Sequence, residues 1–419
     1  MNSLDVSVTP DHYSNLQQFS QKASFYCALG FAFFIPISTM LMNLFLFFTL
    51  VFVLVSGTLK EHWKMAWNNP VARAGILLFL LFIAGTIWST VNYSEALRGL
   101  KKYNELWYIA LLIPLFNSEM RKQLGINTFL ASMTFILVIV YSIYFGLFAQ
   151  PQILIAEDLI ITISVDGGFK SRIITNILMS FAVFIFAHRA LLQTGITRVF
   201  YATLFTASFY YALFISTGTT GQILTVGLST LFFIQHLRWK SAVIIPLFLG
   251  LIFSYGQYNT NTSINHAINK MLGGIEHNGG SASQRREFVT NSLYLIQENL
   301  WLGSGTGSVF QRYSEIPKER IRTNITTNPH NEYAATALQL GIAGITGLLF
   351  LYTIQYRQSK QIKPLEQRYL AQGLIALIII SSLGNSMLMD SGEGHFWAFF
   401  SALLFSAIPQ KIIHGNEPA

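Results

Sequence analysis

Two groups of polar residues in a mostly apolar chain have residue types that could perform chemistry. Arg285 and Arg286 are adjacent, and the sequence Asn-Pro-His-Asn follows at residues 328–331. Guanidinium groups are the usual partners of phosphate oxygens, and an uncharged imidazole accepts a proton from a hydroxyl as a general base. We therefore expect His330 and one of the two arginines to act together on a phosphate-bearing substrate.

The expected state of the histidine follows from its neighbours in the sequence. Asn328 is a good helix N-cap and Pro329 a good first helical residue, which predicts His330 in the first turn of a membrane helix. The positive end of a helix dipole disfavours the imidazolium form. A single histidine at a helix start also serves to cap or pack, so that alternative stays open.

The composition predicts an integral membrane protein. The 419 residues are 52% hydrophobic and only 11% charged, with a mean hydropathy of +0.46, whereas soluble domains carry about 25% charged residues. The single cysteine, Cys27, excludes an internal disulfide framework. We attribute the formal net charge of +8 to membrane topology and expect no nucleic-acid partner.

About twelve apolar runs have the length, or nearly the length, needed to cross a bilayer. They predict an all-α polytopic membrane protein. About nine helices fall in residues 1–255, with a short outer loop at 150–172, a large polar loop at 256–331 and about three helices at 332–419. With both termini inside, every inner connection contains Lys or Arg, so both long loops lie outside. In a bacterium that side is the periplasm.

Several basic residues remain on this outer side, where no retention signal is needed. Solvated loop charge explains any one of them, but the whole set indicates a site for an anion. No charged residue lies in the middle of an apolar run, which argues against a proton-relay pump. The outer cations are Arg98, Lys101, Lys102, Lys170, Arg172, Arg285 and Arg286.

Within the large loop, a helix is predicted to begin at Ser281, with Gln284 completing a capping box, and to end near the glycines that start at Gly303. We expect this amphipathic helix to rest on the outer membrane face with its basic first turn near phosphates. Alternatively, the arginines pair with Glu287 or lipid. Its apolar face is predicted to hold Val289, Leu293, Ile296 and Leu300.

Two other patterns predict less. The glycines at 303, 305 and 307 lack the spacing of a phosphate loop and indicate a helix stop followed by a turn. Asp390, Glu393 and His395 form an outer cluster before the last apolar run, but their spacing is poor for metal ligands, so no metal is expected.

The order of these features resembles the superfamily of O-antigen ligases and polymerases, which are bacterial inner-membrane glycosyltransferases. The resemblance is carried by Ser-Gln-Arg-Arg-Glu at 283–287, by Asn-Leu-Trp-Leu-Gly-Ser-Gly-Thr-Gly-Ser at 299–308 and by Pro-His-Asn-Glu-Tyr at 329–333. Leu-Gln-Leu-Gly-Ile-Ala-Gly follows at 338–344.

The resemblance implies an enzyme of lipopolysaccharide biosynthesis that needs no cofactor, nucleotide sugar or metal. The implied donor is a glycan on undecaprenyl diphosphate, and the implied acceptor is a sugar hydroxyl of lipid A-core. His330 matches the catalytic histidine, with Asn331 and Glu332 supporting it. Arg285 most nearly matches the arginine of the periplasmic helix, and Arg286 is the adjacent alternative. The remaining outer cations would bind the donor diphosphate.

One departure from the family pattern concerns a further arginine. Where many relatives have Thr-Gly-Arg-Thr-Gly, this chain has Thr-Gly-Thr-Thr-Gly at 217–221, with Thr219 in the arginine position. Another cation must then replace it, and Arg172 or Lys170 is the candidate.

Three functions remain in competition on the sequence. The first is an O-antigen ligase that inverts the anomeric carbon, because one base and no nucleophile are identified. An O-antigen polymerase would differ only in using a lipid-linked repeat as acceptor. A lipid-linked-sugar flippase without catalysis would favour charged groups inside the bilayer or repeat symmetry. The glycan, the core sugar and the oligomeric state are not determined by the sequence.

Overall fold

The computed structural model describes residues 15–148, 152–156, 159–260, 262–272, 281–317, 320 and 325–406. It is helical apart from one small hairpin. The helices of the first half are α1 (Asn15–Phe34), α2 (Thr39–Val55), α3 (Leu59–Asn68), α4 (Pro70–Ala84), α5 (Tyr93–Leu100), α6 (Glu105–Leu112), α7 (Glu119–Tyr144) and α8 (Arg172–Leu192). Those of the second half are α9 (Gly195–Tyr210), α10 (Thr219–Leu237), α11 (Ser241–Tyr258), α12 (Ser263–Leu272), α13 (Ser281–Glu298), α14 (Val309–Ser314), α15 (Glu332–Ser359), α16 (Leu365–Ser381) and α17 (Ser391–Phe405).

Several of these helices are long and apolar enough to cross a membrane. Among the described residues there are five such segments, or six if α2 and α3, bent by 112°, form one span. This supports a membrane protein but does not confirm about twelve spans, because several predicted segments form helices shorter than a bilayer requires. The five segments are Glu119–Tyr144, Arg172–Leu192, Gly195–Ile215, Thr219–Tyr258 and Glu332–Ser359.

The core is built on helices that are buried on every face. From Gly392 to Phe405 all of α17 is buried, and α8 is buried from Thr175 to Arg189. Helices of this kind must be surrounded by other helices or by lipid. By contrast, α11 leaves Val243, Leu247 and Leu251 exposed, as expected of side chains that face lipid.

Both long loops contain structure that the sequence did not indicate. Residues 150–172 include an antiparallel hairpin of β1 (Gln152–Ala156) and β2 (Leu159–Thr162), so the chain is not entirely α-helical. The described part of the large loop holds α12 and α14 in addition to the predicted helix. That helix, α13, begins at Ser281 as predicted and ends at Glu298, before the glycines.

The segment that joins α13 to the glycine-rich run forms backbone hydrogen bonds with α15. Helix α15 is interrupted at Gly341, which has φ +60° and ψ −150°, a conformation that side chains disfavour. The amides of Ser304 and Gly305 donate to carbonyls on one side of the break, and the carbonyls of Leu300 and Trp301 accept from amides on the other. The interrupted helix therefore has its backbone groups satisfied by protein, as membrane depth requires.

The structure also buries an ionisable pair that the sequence did not indicate. Glu105 Oε1 lies 3.0 Å from His395 Nδ1, and both side chains are almost wholly buried. Glu105 begins the short apolar helix α6, and His395 lies in the first half of α17. The apolar helices thus carry buried ionisable side chains near their ends.

Candidate functional site

His330 lies just before α15 and not in its first turn, so the predicted position is wrong. Asn331 is the N-cap, and its Oδ1 accepts from the Ala334 amide at 2.9 Å. Asn328 Oδ1 instead accepts from the His330 amide at 2.9 Å. Both asparagines are suited to cap a helix, and Asn331 is the one that caps α15. His330 is left between them with φ +52°, in the left-handed region.

The surroundings of the imidazole favour its uncharged form. Burial lowers the pKa of His330 below its usual value, and the positive charge of Arg285 lowers it further. Its Nδ1 is buried and has no hydrogen-bond partner among the described residues. The neutral state predicted from a helix dipole therefore has a different cause, which is burial beside a guanidinium group.

Arg285, whose charge acts on this histidine, lies near a second arginine from a distant part of the chain, Arg172. Arg285 Nη1 donates to Thr220 Oγ1 at 3.4 Å, and Arg172 Nη1 donates to Thr217 Oγ1 at 3.3 Å. Thr217 is held in turn by Asp166, which accepts from its amide and its hydroxyl at 3.0 Å. Burial and the charge of Arg172 lower the pKa of Arg285. Two like charges placed this close favour binding of an anion.

Asn331 and Glu332 anchor the start of α15 to the segment between α16 and α17. Asn331 Nδ2 donates to the Leu383 carbonyl at 3.0 Å. The Glu332 amide donates to the Ser382 carbonyl at 3.0 Å, and its buried Oε2 accepts from the Leu388 amide at 2.8 Å. These two predicted supporting residues fix the backbone on one side of His330.

Asp390 is a contributor that sequence reasoning considered only as a possible metal ligand. Asn328 Nδ2 donates to Asp390 Oδ1 at 3.1 Å, and Asn328 Oδ1 accepts from the His330 amide. Asp390 therefore helps to position His330 through Asn328. Burial raises the pKa of Asp390. The described residues contain no group of three His, Cys, Asp or Glu side chains placed to hold a metal ion. The 62 residues between Asn328 and Asp390 explain why the sequence did not link them.

The remaining predicted cations lie elsewhere. The Lys170 ammonium contacts Thr39 Oγ1, and burial lowers its pKa to about 8, opposed by the charge of Glu393. Arg286 is exposed beside Arg285, and Lys101 is also exposed.

Arg98 and Lys102 line a separate cavity of about 300 Å³. The described residues that line it do not include Arg172, Arg285 or His330. The structure therefore divides the outer cations, predicted to serve one diphosphate, among different places.

Helix α13 brings Arg285 to the site by burying a face that matches the predicted one only in part. Phe288 and Leu295 are buried in a small cluster that also contains Tyr313 and Leu338. Of the predicted apolar face, Leu293 is 57% exposed and Leu300 is 44% exposed. Ile296 of the predicted face packs against the same cluster, so the helix is held to the protein by one face and leaves Leu293 exposed.

One comparison with known proteins covers the part of the chain that contains several of these residues. Residues 202–349 match the family model described as O-antigen ligase, a range that includes Arg285, His330 and the threonines at 217 and 220. No curated protein matches the chain in a sequence search. Over residues 202–349, the chain therefore carries a domain of the O-antigen ligase superfamily.

Proposed function

We propose that this protein is an O-antigen ligase that transfers a glycan from undecaprenyl diphosphate to a sugar hydroxyl of lipid A-core. The observation that carries the proposal is that Arg172 and Arg285 donate to neighbouring threonines, Thr217 and Thr220, while His330 is partly buried and lies near Arg285. A pair of cations suits a diphosphate, and the base suits a hydroxyl. The family match supports this class of enzyme.

In the proposed reaction, the bond from sugar C1 to the diphosphate oxygen breaks and the electron pair stays on the diphosphate. Arg285 and Arg172 stabilise the negative charge that develops there, in a partly water-excluded place where fixed charges act strongly. His330 takes the proton of the acceptor hydroxyl while that oxygen bonds to C1. A single displacement inverts C1 and is proposed to proceed without a metal.

Arg172 is the proposed replacement for the family arginine at the position of Thr219. Thr217 and Thr220 flank that position, and each accepts a hydrogen bond from one arginine of the pair. Lys170 is the weaker candidate, since its ammonium contacts Thr39. The family position is thus surrounded by cations from other elements.

The proposed setting is the inner membrane of a bacterium, with about twelve spans, both termini inside and the site on the periplasmic side. Five to six of these spans correspond to the long apolar helices. The exposed side chains of Leu293 on α13 and of Leu300 just after it are suited to the membrane surface. Labelling of a cysteine introduced at Arg286, with Cys27 replaced, tests the sidedness, and cytoplasmic labelling would contradict it.

The deciding experiment mixes purified protein, undecaprenyl-diphosphate glycan and rough lipopolysaccharide without nucleotide or metal. We expect glycan transfer on a gel, and His330→Ala should reduce its rate by about 10²-fold to 10⁴-fold, the usual contribution of a general base. His266→Ala, which changes an exposed histidine of α12, is the matched control and should remain active. Normal transfer by His330→Ala would eliminate the base assignment.

Two further outcomes separate the alternatives. A deletion strain that accumulates polymer on the lipid carrier supports the ligase, whereas single repeats on core indicate the polymerase. Recovery of a covalent glycosyl-enzyme would contradict the inverting single displacement. Activity that consists only of lipid-linked sugar crossing the bilayer would favour the flippase.

A further inference from the structure

The cavity lined by Arg98 and Lys102 lies beside the loop that carries His330. Its volume is about 300 Å³, at the lower end of the range for sites that bind small molecules. Arg98, at the end of α5, and Lys102, in the turn after it, supply two cations. Neither cation forms a salt bridge within the described parts of the chain. The polar side chains that complete the lining are those of Glu95, Gln311, Thr327 and Gln339.

The cavity wall is rigid where it meets α15. The Gln339 side chain is buried, with its Nε2 donating to the Tyr103 hydroxyl at 2.6 Å and its Oε1 accepting from the Gly307 amide at 2.8 Å. A wall residue whose side-chain amide is already hydrogen-bonded holds its position without a ligand, which reduces the entropy cost of binding. The exposed cations at the rim are therefore the groups free to select what enters.

The same cavity adjoins the loop that carries His330. Thr327 in its lining precedes His330 by three residues, and Met389 in its lining adjoins Asp390. The charge of Lys102 acts on Asp390, whose carboxylate binds Asn328. A sugar held in this cavity is therefore adjacent to the loop that positions the imidazole, and it uses different cations from the Arg172 and Arg285 pair.

We propose that this cavity binds the acceptor, an anionic saccharide whose phosphate or carboxylate groups are held by Arg98 and Lys102 while a hydroxyl reaches His330. This inference rests on the proposed function, because a single displacement requires donor and acceptor to be bound together. Two separate pairs of cations keep an anionic acceptor from competing with the diphosphate. Neutral hydrogen-bonding groups such as Gln311 and Thr327 suit the hydroxyls of a sugar.

The test measures KM for acceptor and for donor separately, with Arg98→Gln and Lys102→Gln in the purified full-length protein. We expect each variant to raise the acceptor KM roughly tenfold, the value of a hydrogen bond between charged groups, with the donor KM unchanged. Lys101→Gln is the matched control, because Lys101 is an exposed neighbour outside the described cavity lining. An equal effect of Lys101→Gln, or a loss confined to the donor KM, would overturn the proposal.

Modified acceptors identify the anionic group. If the cavity holds phosphate, phosphatase treatment of the core oligosaccharide raises the wild-type KM and removes the difference between Lys102→Gln and wild type. If it holds carboxylate, that difference survives phosphatase and disappears after carboxyl reduction. A difference that survives both treatments would show that no anion is recognised.

A binding measurement keeps this inference separate from the proposed reaction. Core oligosaccharide is titrated into wild type, Lys102→Gln and Lys101→Gln without donor. Weaker binding by Lys102→Gln alone supports the acceptor cavity even if wild type fails to transfer glycan, an outcome that would refute only the proposed function. Equal binding by all three proteins would refute the cavity assignment, including in a protein that transfers glycan normally.

Discussion

The hydrogen bonds of Asn328 should set the position of the catalytic base, and Asn328→Ala tests this directly. The substitution removes the bond from the His330 amide at 2.9 Å and the bond to Asp390 at 3.1 Å. A neutral bond contributes about 1 kcal/mol and one to a carboxylate about 2 kcal/mol. The left-handed backbone of His330 costs about 1 to 2 kcal/mol, which these two bonds offset.

Without these bonds, the backbone cost of about 1 to 2 kcal/mol is no longer offset and His330 leaves its position for part of the time. We therefore expect kcat to fall roughly fivefold to thirtyfold. The donor KM should stay unchanged because Arg285 and Arg172 are untouched.

The assay is glycan transfer under saturating donor and acceptor, with KM for each measured separately. Asn331→Ala is the stability control, because it removes the cap of α15 and leaves the Asn328 bonds in place. It should lower the melting temperature with a smaller loss of kcat. The losses of kcat caused by Asn328→Ala and by Asp390→Ala should not add in the double variant, because both substitutions break the same hydrogen bond between Asn328 and Asp390. Wild-type kcat in Asn328→Ala, with His330→Ala inactive, would refute this reasoning.

Three other predictions follow from the described geometry. The lowered pKa of His330 keeps its imidazole neutral at pH 7, so the transfer rate should fall only at pH values below the usual histidine range. Because the charge of Arg285 contributes to the lowered pKa, Arg285→Gln should move this fall in rate to higher pH in a pH–rate profile. If Lys170 assists donor binding, donor affinity should weaken as the pH rises through about 8, because the Lys170 ammonium loses its charge there. Donor binding by Lys170→Arg, measured over the same pH range, should show no such change. Gly341→Ala should lower the apparent melting temperature by placing a methyl group against the Trp301 backbone, whereas Gly250→Ala, in open space, should not.

Local sequence signals located the helix that carries Arg285. The start of α13 at Ser281 was predicted because capping residues and helical periodicity are short-range features. The end of that helix and its buried face were predicted less well. Which face is buried depends on Tyr313 and Leu338, partners that come later in the chain.

The conformation of His330 was mispredicted for a physical reason. Asn328 and Asn331 have the same intrinsic capacity to cap a helix. The choice between them depends on Asp390, which engages Asn328, and on the Leu383 carbonyl, which engages Asn331. Both partners lie more than fifty residues away in sequence, beyond the reach of any local pattern.

The sequence by itself determined that this is a helical membrane protein with guanidinium and imidazole groups in a polar loop, because hydropathy and residue type are local properties. Only the tertiary structure decided which cations act together. It placed Arg172 beside Arg285 and the threonines of residues 217–221, and it put Arg98 and Lys102 in another cavity. The physical reason is that charges interact according to their distance in space, which packing of the helices establishes and sequence separation does not.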